Sequence, residues 1–486
     1  MQVLFVTSEV APFIKTGGLA DVSAALPEAL LAQGVDIRVL LPCYPQIIKA
    51  LSDLQIITDF YDQPPPGFED LPPARLLLGS LPSGVPLYLL DCPAMFLRGG
   101  GPYQDESGLD WMDNAQRFGL LSKVAALLAS ADTPLEWRPD VLHCNDWQTG
   151  LAPAYLQYRQ EPAPSVMTIH NLAFQGNFPS SVMPELGLPW DCFQPDGVEF
   201  YGNLSFLKAG LYYAEHITTV SPSYAKEIQT DVHGLGLQGL LAYRSKYLTG
   251  ILNGIDTTEW DSTADIYLAH AYDAADLSGK AANKLELQKR MGLHIDAEIP
   301  LFGLVGRFAH QKGVDLVMEV AEILIALPAQ LVLLGSGEAK LQRAALSLAH
   351  KHSGKVATYV GFDEGLSHLI EAGADLFLMP SRYEPCGLNQ MYSQRYGTPP
   401  VVHATGGLID TVIDCTAASL ANATASGFVF NSMEATSLLN AARRAVKAYK
   451  DKSTWKALQQ ICMKKDFGWH KSAQAYLQIY QQLIKK

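Results

Sequence analysis

Apolar positions in the first fifty residues alternate between short strand-like runs and a longer helical spacing. Residues 3–7 form a continuous apolar run typical of a buried parallel strand. A glycine-containing segment, 15–18, follows, and then a helical pattern that Asp21 is expected to cap and Pro27 to kink or interrupt. Residues 36–41 are the next strand-like run, so this part of the chain predicts a βαβ unit.

The same alternation continues along the chain. Helical spacing over 314–327 and 340–352 separates strand-like runs of the second half. Residues 59–86, rich in Pro and Gly, predict loops and small strands beside the main sheet. Further strands are predicted at 140–143, 165–170, 216–221, 300–306, 330–335, 356–361, 375–380 and 400–403.

This rhythm predicts an α/β protein with two Rossmann-like, doubly wound domains that face each other across a deep cleft. An Asn-Gly turn within 253–256 is the expected hinge. In open parallel sheets ligands bind beyond the carboxyl ends of the strands, and most polar motifs of this sequence follow predicted strands.

Composition narrows the class of protein. A chain of 486 residues is too long for one ordinary domain, and its formal charge of −13 argues against non-specific nucleic-acid binding. The seven cysteines are scattered, odd in number and never paired as C-x-x-C, which predicts neither zinc site nor disulfide framework. The first residues do not resemble a signal peptide and the apolar stretch 323–334 is too short to span a bilayer, so a cytoplasmic, membrane-free protein is expected.

The segment KTGGLADV, residues 15–22, carries the first candidate chemistry. A Gly17-Gly18 pair between strand and helix lets backbone N–H groups approach an anion, while the helix N-terminus and Lys15 add favourable charge. A plain βα turn, where glycine is common, is the alternative.

Two cations and one acid follow strands of the second half. Arg307 and Lys312 come after 300–306, where they would clamp a diphosphate and stabilise charge on a leaving phosphate. Glu384 follows 375–380, where a carboxylate would bind sugar hydroxyls or a cationic transition state. The alternatives are a solvated loop for the cations, and a surface acid or a helix N-cap partner for Glu384.

Glycine turns follow in the same half. Gly387 and Leu388 are expected to begin a helix whose N–H groups meet phosphate, whereas Cys386 is interpreted as a small buried side chain. Residues 405–408 repeat the TGGL of residues 16–19, which suggests two anion-facing backbones across one cleft, with chance as the alternative.

Candidate sugar contacts lie in the first half. His170 ends a predicted strand, where it would bind sugar hydroxyls or act as a general base, although a lone histidine is more often structural. Asp146 precedes Trp147, a pairing that suits sugar binding. Tyr103 would stack on a sugar face, with core packing as the alternative.

Five segments in this order resemble the family of bacterial glycogen synthases and plant starch synthases: 15–22, 151–156, 253–256, 384–388 and 405–408. The resemblance covers essentially the whole chain. It implies a retaining glycosyltransferase of the GT-B fold with no required metal or other cofactor. The implied reaction, in glycogen biosynthesis, transfers glucose from ADP-glucose to the non-reducing end of a (1→4)-α-glucan.

The resemblance also implies individual roles. Arg307 and Lys312 would neutralise the diphosphate as ADP leaves, and Glu384 would hold the donor glucose near its 3-hydroxyl. His170 and Asn171 would contact that glucose, with the His170 carbonyl near the anomeric carbon. The other implied substrate contacts are Lys15 and Gly18 beside glucose and phosphates, Asp21, Tyr103 and Asp146 around sugar and acceptor, Cys386, Gly387 and Leu388 beside Glu384, Thr405 and Gly406 near the phosphates, and Phe362 near the adenine.

The implied domains are 1–252, which holds the acceptor and catalytic groups, 253–465, which binds the nucleotide sugar, and 466–486, a C-terminal helix that crosses back at 467–469. Tyr392 stands where related retaining transferases often carry a second Glu, which agrees with the synthase branch. Many relatives carry a histidine on either side of the Asp-Trp pair, whereas this sequence has other residues beside Asp146 and Trp147. The detailed contacts of the acceptor site are therefore expected to differ from those of such relatives.

Three other functions remain open on sequence alone. One is a related transferase that uses UDP-glucose or another acceptor. Another is a glucan- or nucleotide-binding protein without activity, although the joint presence of Lys15, Arg307, Lys312 and Glu384 argues against it. A third is a glucan phosphorylase, for which the sequence offers no pyridoxal-phosphate motif.

Overall fold

A computed structural model describes residues 1–60, 65 and 72–485. The chain divides into two compact units, Met1–Gly254 with Trp469–Lys486, and Ile255–Gly468. Part of the predicted loop segment 59–86, namely 61–64 and 66–71, lies outside the described residues, as does Lys486. Among the helices of the described ranges, none combines the length and the apolar character needed to cross a membrane.

The first unit is built on a large, mostly parallel sheet. Within the described residues its strand order is β12-β11-β7-β6-β1-β2-β5-β4-β3, and β4 runs antiparallel to both neighbours. Strands β8, β10 and β9 form a small antiparallel sheet. The strands are β1 (Gln2–Val6), β2 (Asp36–Pro42), β3 (Gln55–Asp59), β4 (Arg75–Ser80), β5 (Pro86–Asp91), β6 (Val141–Asn145), β7 (Ser165–Ile169), β8 (Asn177–Pro179), β9 (Glu199–Phe200), β10 (Asn203–Ser205), β11 (His216–Thr219) and β12 (Leu248–Gly250).

Strands β3, β4 and β5 extend the main sheet, whereas the sequence predicts small strands beside it. Helices connect the parallel strands. They are α1 (Gly18–Leu31), α2 (Pro45–Ala50), α3 (Pro93–Phe96), α4 (Asn114–Leu128), α5 (Ala152–Leu156), α6 (Met183–Leu186), α7 (Phe206–Tyr213), α8 (Pro222–Glu227) and α9 (Gln238–Tyr243).

Helix α1 corrects two sequence-based expectations. It begins at Gly18, with an extended Gly17 as N-cap, so Asp21 lies in the first turn and is not the cap. There its carboxylate faces the positive end of the helix dipole. The helix also continues through the buried Pro27 without interruption, at the cost of one helical hydrogen bond.

The second unit is a doubly wound parallel domain. Its described strands have the order β15-β14-β13-β16-β17-β18, and each pairs in parallel with its neighbour. The strands are β13 (Leu301–Val305), β14 (Gln330–Gly335), β15 (Val356–Val360), β16 (Leu376–Met379), β17 (Pro400–His403) and β18 (Phe428–Phe430). The helices are α10 (Ser278–Arg290), α11 (Val314–Ala326), α12 (Ala339–Lys351), α13 (Glu364–Gly373), α14 (Asn389–Arg395), α15 (Gly406–Thr411), α16 (Ala417–Ala421), α17 (Ala435–Lys450) and α18 (Lys452–Met463).

Both faces of this second sheet are covered. Alternate residues of β13 belong to different apolar clusters: Phe302 packs with α11, α12 and α17, whereas Leu301 packs with α10 and α13. Such alternation is the signature of a strand buried on both sides. The sheet is therefore a rigid base, and its carboxyl-end loops carry the polar motifs.

The last helix, α19 (His470–Ile484), belongs to the first unit. It packs on α1 and β6, where Tyr480 Oη lies 2.7 Å from His143 Nδ1. Burial lowers the pKa of His143 to about 3, so this contact is between neutral groups at ordinary pH.

Candidate active site

The loop between β1 and α1 holds Lys15 and Asp21 together. Lys15 Nζ lies 2.7 Å from Asp21 Oδ1 at the surface of the first unit. The backbone N–H groups of Thr16 and Gly17 donate to the carboxylate of Glu9. Of the predicted anion-binding turn, these two amides are therefore already engaged inside the protein.

Asp146 and His170 follow the neighbouring strands β6 and β7, as predicted for strand-end residues. Asp146 Oδ1 accepts from the backbone N–H of His170 at 2.7 Å and of Asn171 at 3.4 Å. Asp146 itself has φ of 54°, an uncommon value for a residue with a side chain. Such backbone strain concentrates at functional sites, where surrounding contacts hold it in place.

His170 is a neutral hydrogen-bonding group in this setting. Burial lowers its pKa to about 3, and its Nε2 lies 3.0 Å from Asn145 Oδ1. The Asn145 amide is oriented by its own bond to the Val6 carbonyl, so the His170 proton resides on Nε2. A group with so low a pKa is poorly matched to general-base catalysis at neutral pH.

Asp146→Asn is expected to raise the unfolding midpoint at pH 8 and to leave it nearly unchanged at pH 4. Burial raises the pKa of Asp146 to about 7, outweighing the hydrogen bonds from His170 and Asn171. The folded state therefore prefers the protonated acid, and stability falls as pH rises from about 4 through 7. Thermal unfolding at both pH values measures this; an equal shift at both would contradict it.

Tyr103 belongs to a braced loop of the first unit. Its hydroxyl lies 2.5 Å from Glu9 Oε1 and 2.8 Å from Ser8 Oγ, and its carbonyl accepts from Asn114 Nδ2. The buried Arg117 donates to Asn114 Oδ1 and to the carbonyl groups of residues 95 and 102. The ring of Tyr103 is thus held in one place, because its hydroxyl is hydrogen-bonded to Glu9 and Ser8.

In the second unit, Lys312 and Glu384 meet. The loop after β13 brings Lys312 Nζ to 2.6 Å from Glu384 Oε2, which also accepts from Ser381 Oγ at 2.9 Å. The Glu384 side chain is 7% exposed and that of Lys312 is 27% exposed. Two of the predicted catalytic residues therefore form one partly buried ion pair, while the side chain of Arg307 in the same loop is exposed.

Arg382 braces the two loops that carry this pair. Its guanidinium forms two parallel hydrogen bonds to Asp315, at 2.8 and 2.7 Å, and a third to the His310 carbonyl. Gln311 Nε2 donates to the Tyr383 carbonyl at 3.1 Å. Arg382 and Asp315 were not among the predicted site residues. Arg382 could have been noticed, because it stands two residues before Glu384, but the sequence does not show that it pairs with Asp315.

The TGGL turn of the second unit packs directly on the Glu384 segment. The Gly407 N–H donates to the Glu384 carbonyl at 3.0 Å, and a Cβ on Gly406 would lie 2.0 Å from that oxygen. Cys386 is buried there, as expected of a small apolar side chain. Helix α14 begins at Asn389 with Leu388 as N-cap, so the predicted start at Gly387 is wrong; Gly387 takes φ of +72° instead.

Phe362 follows β15 and is 80% exposed. Thr405, the N-cap residue of α15, follows β17. Together with the Lys312–Glu384 pair, these residues lie in loops after neighbouring strands of one parallel sheet, where such folds bind nucleotides.

Comparisons with known proteins decide the family. Residues 2–243 match the starch synthase catalytic domain, and residues 288–457 match the glycosyl transferases group 1. The whole chain is 56% identical to a glycogen synthase of Nitrosomonas eutropha and covers 97% of it. The chain belongs to the glycogen synthase family. The resemblance, the glycosyltransferase class and the glycogen synthase function predicted from sequence are thereby confirmed.

Solved structures agree with this assignment. The chain superposes with a TM-score of 0.88 and 32% identity on the catalytic domain of starch synthase IV from Arabidopsis thaliana bound to ADP and acarbose, covering 100% of this chain and 99% of that one. Sucrose-phosphate synthase from Thermosynechococcus elongatus, 18% identical with a TM-score of 0.61 and at least 99% coverage of both chains, shares the fold. The predicted GT-B fold is confirmed.

One further cluster of the second unit has the composition of a metal site. Ligand atoms of Glu259, Glu364 and His368 lie within 4.8 Å of one another. However, His368 Nδ1 lies 2.7 Å from Asp265 Oδ2, and Nε2 lies 3.6 Å from Glu364 Oε1. Burial alone would lower the pKa of His368, but its carboxylate partners outweigh this and raise it to about 9. His368 and Asp265 therefore form a buried ion pair, at whose edge the exposed Glu259 and the partly exposed Glu364 lie.

Asp265→Asn is expected to lower stability at pH 6 and to flatten its decline toward pH 10. The folded-state pKa of His368, about 9, lies above its ordinary value of 6.5. The stabilisation is therefore complete below pH 6.5 and is lost as pH rises through 9. Unfolding midpoints from pH 6 to pH 10 measure it, and a variant whose decline parallels that of the wild type would contradict it.

Proposed function

We propose that this chain transfers glucose from ADP-glucose to the non-reducing end of a (1→4)-α-glucan with retention of the anomeric configuration. The donor is supported by the starch synthase structure of 32% identity, which is bound to ADP. The reaction is supported by the relatives named glycogen synthase. The observation that carries the mechanism is the Lys312–Glu384 ion pair at 2.6 Å.

The chemistry follows from where charge develops. The bond between the glucose C1 and the phosphate oxygen breaks, and its electron pair leaves with ADP. Lys312 and Arg307 supply fixed positive charge for the diphosphate. This charge accelerates the step because it stabilises the departing ADP more than it stabilises the intact donor. Glu384, held by Lys312 and Ser381, offers its carboxylate to the donor glucose. The acceptor hydroxyl then adds at C1 on the face that ADP leaves, and its proton passes to the departing phosphate.

The first unit supplies the remaining sugar contacts in this proposal. Asp146 orients the backbone of His170 and Asn171, so that the His170 carbonyl faces the anomeric carbon and the Asn171 amide the glucose hydroxyls. Lys15 and Gly18 approach the donor phosphates, and Tyr103 and Asp21 border the acceptor. In the second unit Thr405, Gly406 and the segment Cys386 to Leu388 lie at the phosphates, and Phe362 covers the adenine.

We also propose that no metal is needed, because Arg307 and Lys312 already provide two cations for the diphosphate. Magnesium performs that duty in many phosphoryl-transfer sites. Transfer should therefore proceed in excess EDTA at the same rate as in magnesium. A strict requirement for a divalent ion would contradict this part of the proposal.

The test is a donor comparison. Purified protein is incubated with glycogen and either ADP-glucose or UDP-glucose, and nucleotide release and glucose incorporation are measured in parallel. We expect matched ADP release and incorporation, with UDP-glucose at least tenfold slower. Equal or faster transfer from UDP-glucose would overturn the donor, and release without incorporation would overturn the acceptor.

A further inference from the structure

Glu9 is a buried acid three residues beyond strand β1, and it was not among the residues that the sequence motifs singled out. Only 3% of the surface of Glu9 is exposed to solvent. Buried carboxylates are costly unless donors surround them. Each oxygen of Glu9 is accordingly met by two donors.

The four donors come from two separate segments. Oε2 accepts from the backbone N–H groups of Thr16 at 2.5 Å and Gly17 at 3.3 Å. Oε1 accepts from the hydroxyls of Thr16 and Tyr103, both at 2.5 Å. One carboxylate thus joins the loop 15–18 to the loop of Tyr103, which Ser8 also holds.

This contact differs from an ordinary helix cap, whose side chain accepts from amides of the first helical turn. The N-cap of α1 is Gly17, which has no side chain to accept hydrogen bonds. Glu9 accepts instead from the two amides that precede the helix, so it fixes the backbone between Lys15 and Gly18. Because both amides already donate to Glu9, the Gly18 end of the turn is the part left to meet a ligand.

We propose that Glu9 is a positioning residue for glucosyl transfer: it fixes the 15–18 loop so that Lys15 and the Gly18 end face the donor. The effect on glucosyl transfer rests on the proposed function, whereas the fixing of the 15–18 loop by Glu9 does not depend on it. Glu9 acts through the loop and does not touch the substrate.

The hydrogen-bond pattern distinguishes geometry from charge. Glutamine at position 9 keeps the length, its oxygen can accept from both amides, and its NH2 can donate to the two hydroxyls, which also accept. Aspartate keeps the charge but is one methylene shorter and cannot reach both segments. Positioning therefore predicts that Glu9→Gln is the milder change and Glu9→Asp the more severe.

The experiment compares wild type, Glu9→Gln, Glu9→Asp and Glu9→Ala, with Glu322→Ala as a control at an exposed acid. We expect kcat to fall about 100-fold or more in Glu9→Ala and Glu9→Asp, to stay within tenfold in Glu9→Gln, and KM for ADP-glucose to change less than kcat. A milder effect of Glu9→Asp than of Glu9→Gln, or wild-type kcat in Glu9→Ala, would overturn the proposal.

Hydrogen exchange gives a readout that needs no activity. The Thr16 and Gly17 amides should exchange slowly in wild type and Glu9→Gln, and at least tenfold faster in Glu9→Asp, while amides of β1 stay protected. Unchanged exchange in Glu9→Asp would overturn the inference even with an active enzyme. Absence of transfer by the wild type would instead overturn the proposed function.

Discussion

Lys312→Ala is expected to lower kcat for glucosyl transfer by about 100- to 1,000-fold, the usual effect of removing one preorganised group that stabilises developing charge. Lys312 is the cation of a 2.6 Å pair whose carboxylate, Glu384, is 7% exposed. Its loss removes positive charge from the departing diphosphate and leaves the Glu384 carboxylate with the hydrogen bond from Ser381 Oγ. Both effects act at the transition state, so KM should change less than kcat.

The matched control is Lys351→Ala. Lys351 also forms a 2.6 Å pair with a glutamate of the second unit, Glu322, but both side chains are about half or more exposed. Exposed pairs of this kind contribute about 0–1 kcal/mol, and the control should keep full activity and stability. Equal activities of the two lysine variants would show that the Lys312–Glu384 pair is not the catalytic centre.

Gly406→Ala is expected to destabilise the second unit by about 2–5 kcal/mol, whereas Gly17→Ala should have little effect on stability. The two glycines occupy the same position in two segments of identical sequence, TGGL. Gly406 has φ of +45°, and its added Cβ would lie 2.0 Å from the Glu384 carbonyl oxygen. Backbone strain and overpacking each cost about 1–3 kcal/mol. Gly17 is extended, with φ of −157°, and no heavy atom lies within 4 Å of its added Cβ.

Urea unfolding of both variants measures this difference, with hydrogen exchange of β16 and β17 to report on the second unit. Gly406→Ala should also lose transfer activity, because the Glu384 backbone must move to admit the methyl group. Similar midpoints for the two alanine variants would contradict the packing of this turn against Glu384.

The sequence predicted strands β13 to β17 of the second unit closely, because most of their residues form continuous buried apolar runs, whereas β18 (Phe428–Phe430) was not predicted. Residues 330–335 and 400–403 were predicted with the bounds that the structure has. Continuous apolar runs bounded by turn residues leave little freedom in such strands. Helix α1 was less predictable because Asp21 is a good cap by type, whereas the helix in fact begins directly after an extended glycine.

The candidate site was predictable where a motif contains its own chemistry. Glu384 and Lys312 were identified separately, but only the fold shows that they pair. Glu9 and Asp315 were not predicted as site residues. Each accepts hydrogen bonds from a residue distant in sequence or in another loop, Thr16 and Arg382 respectively, and the sequence alone does not show which groups these donors face. The repeated TGGL turn suggested two equivalent anion sites, yet the two turns differ in backbone angles and in the carbonyl or carboxylate that receives their N–H groups.

The most direct test of the proposed reaction follows one labelled atom. ADP-glucose carrying ¹³C at glucose C1 is incubated with glycogen and the wild-type protein, and the product is examined by NMR. We predict that label enters the polysaccharide in amounts equal to the ADP released, entirely as α-(1→4)-linked glucose, and that Lys312→Ala reduces this at least 100-fold. Label found as free glucose, or in β-linked residues, would contradict the account.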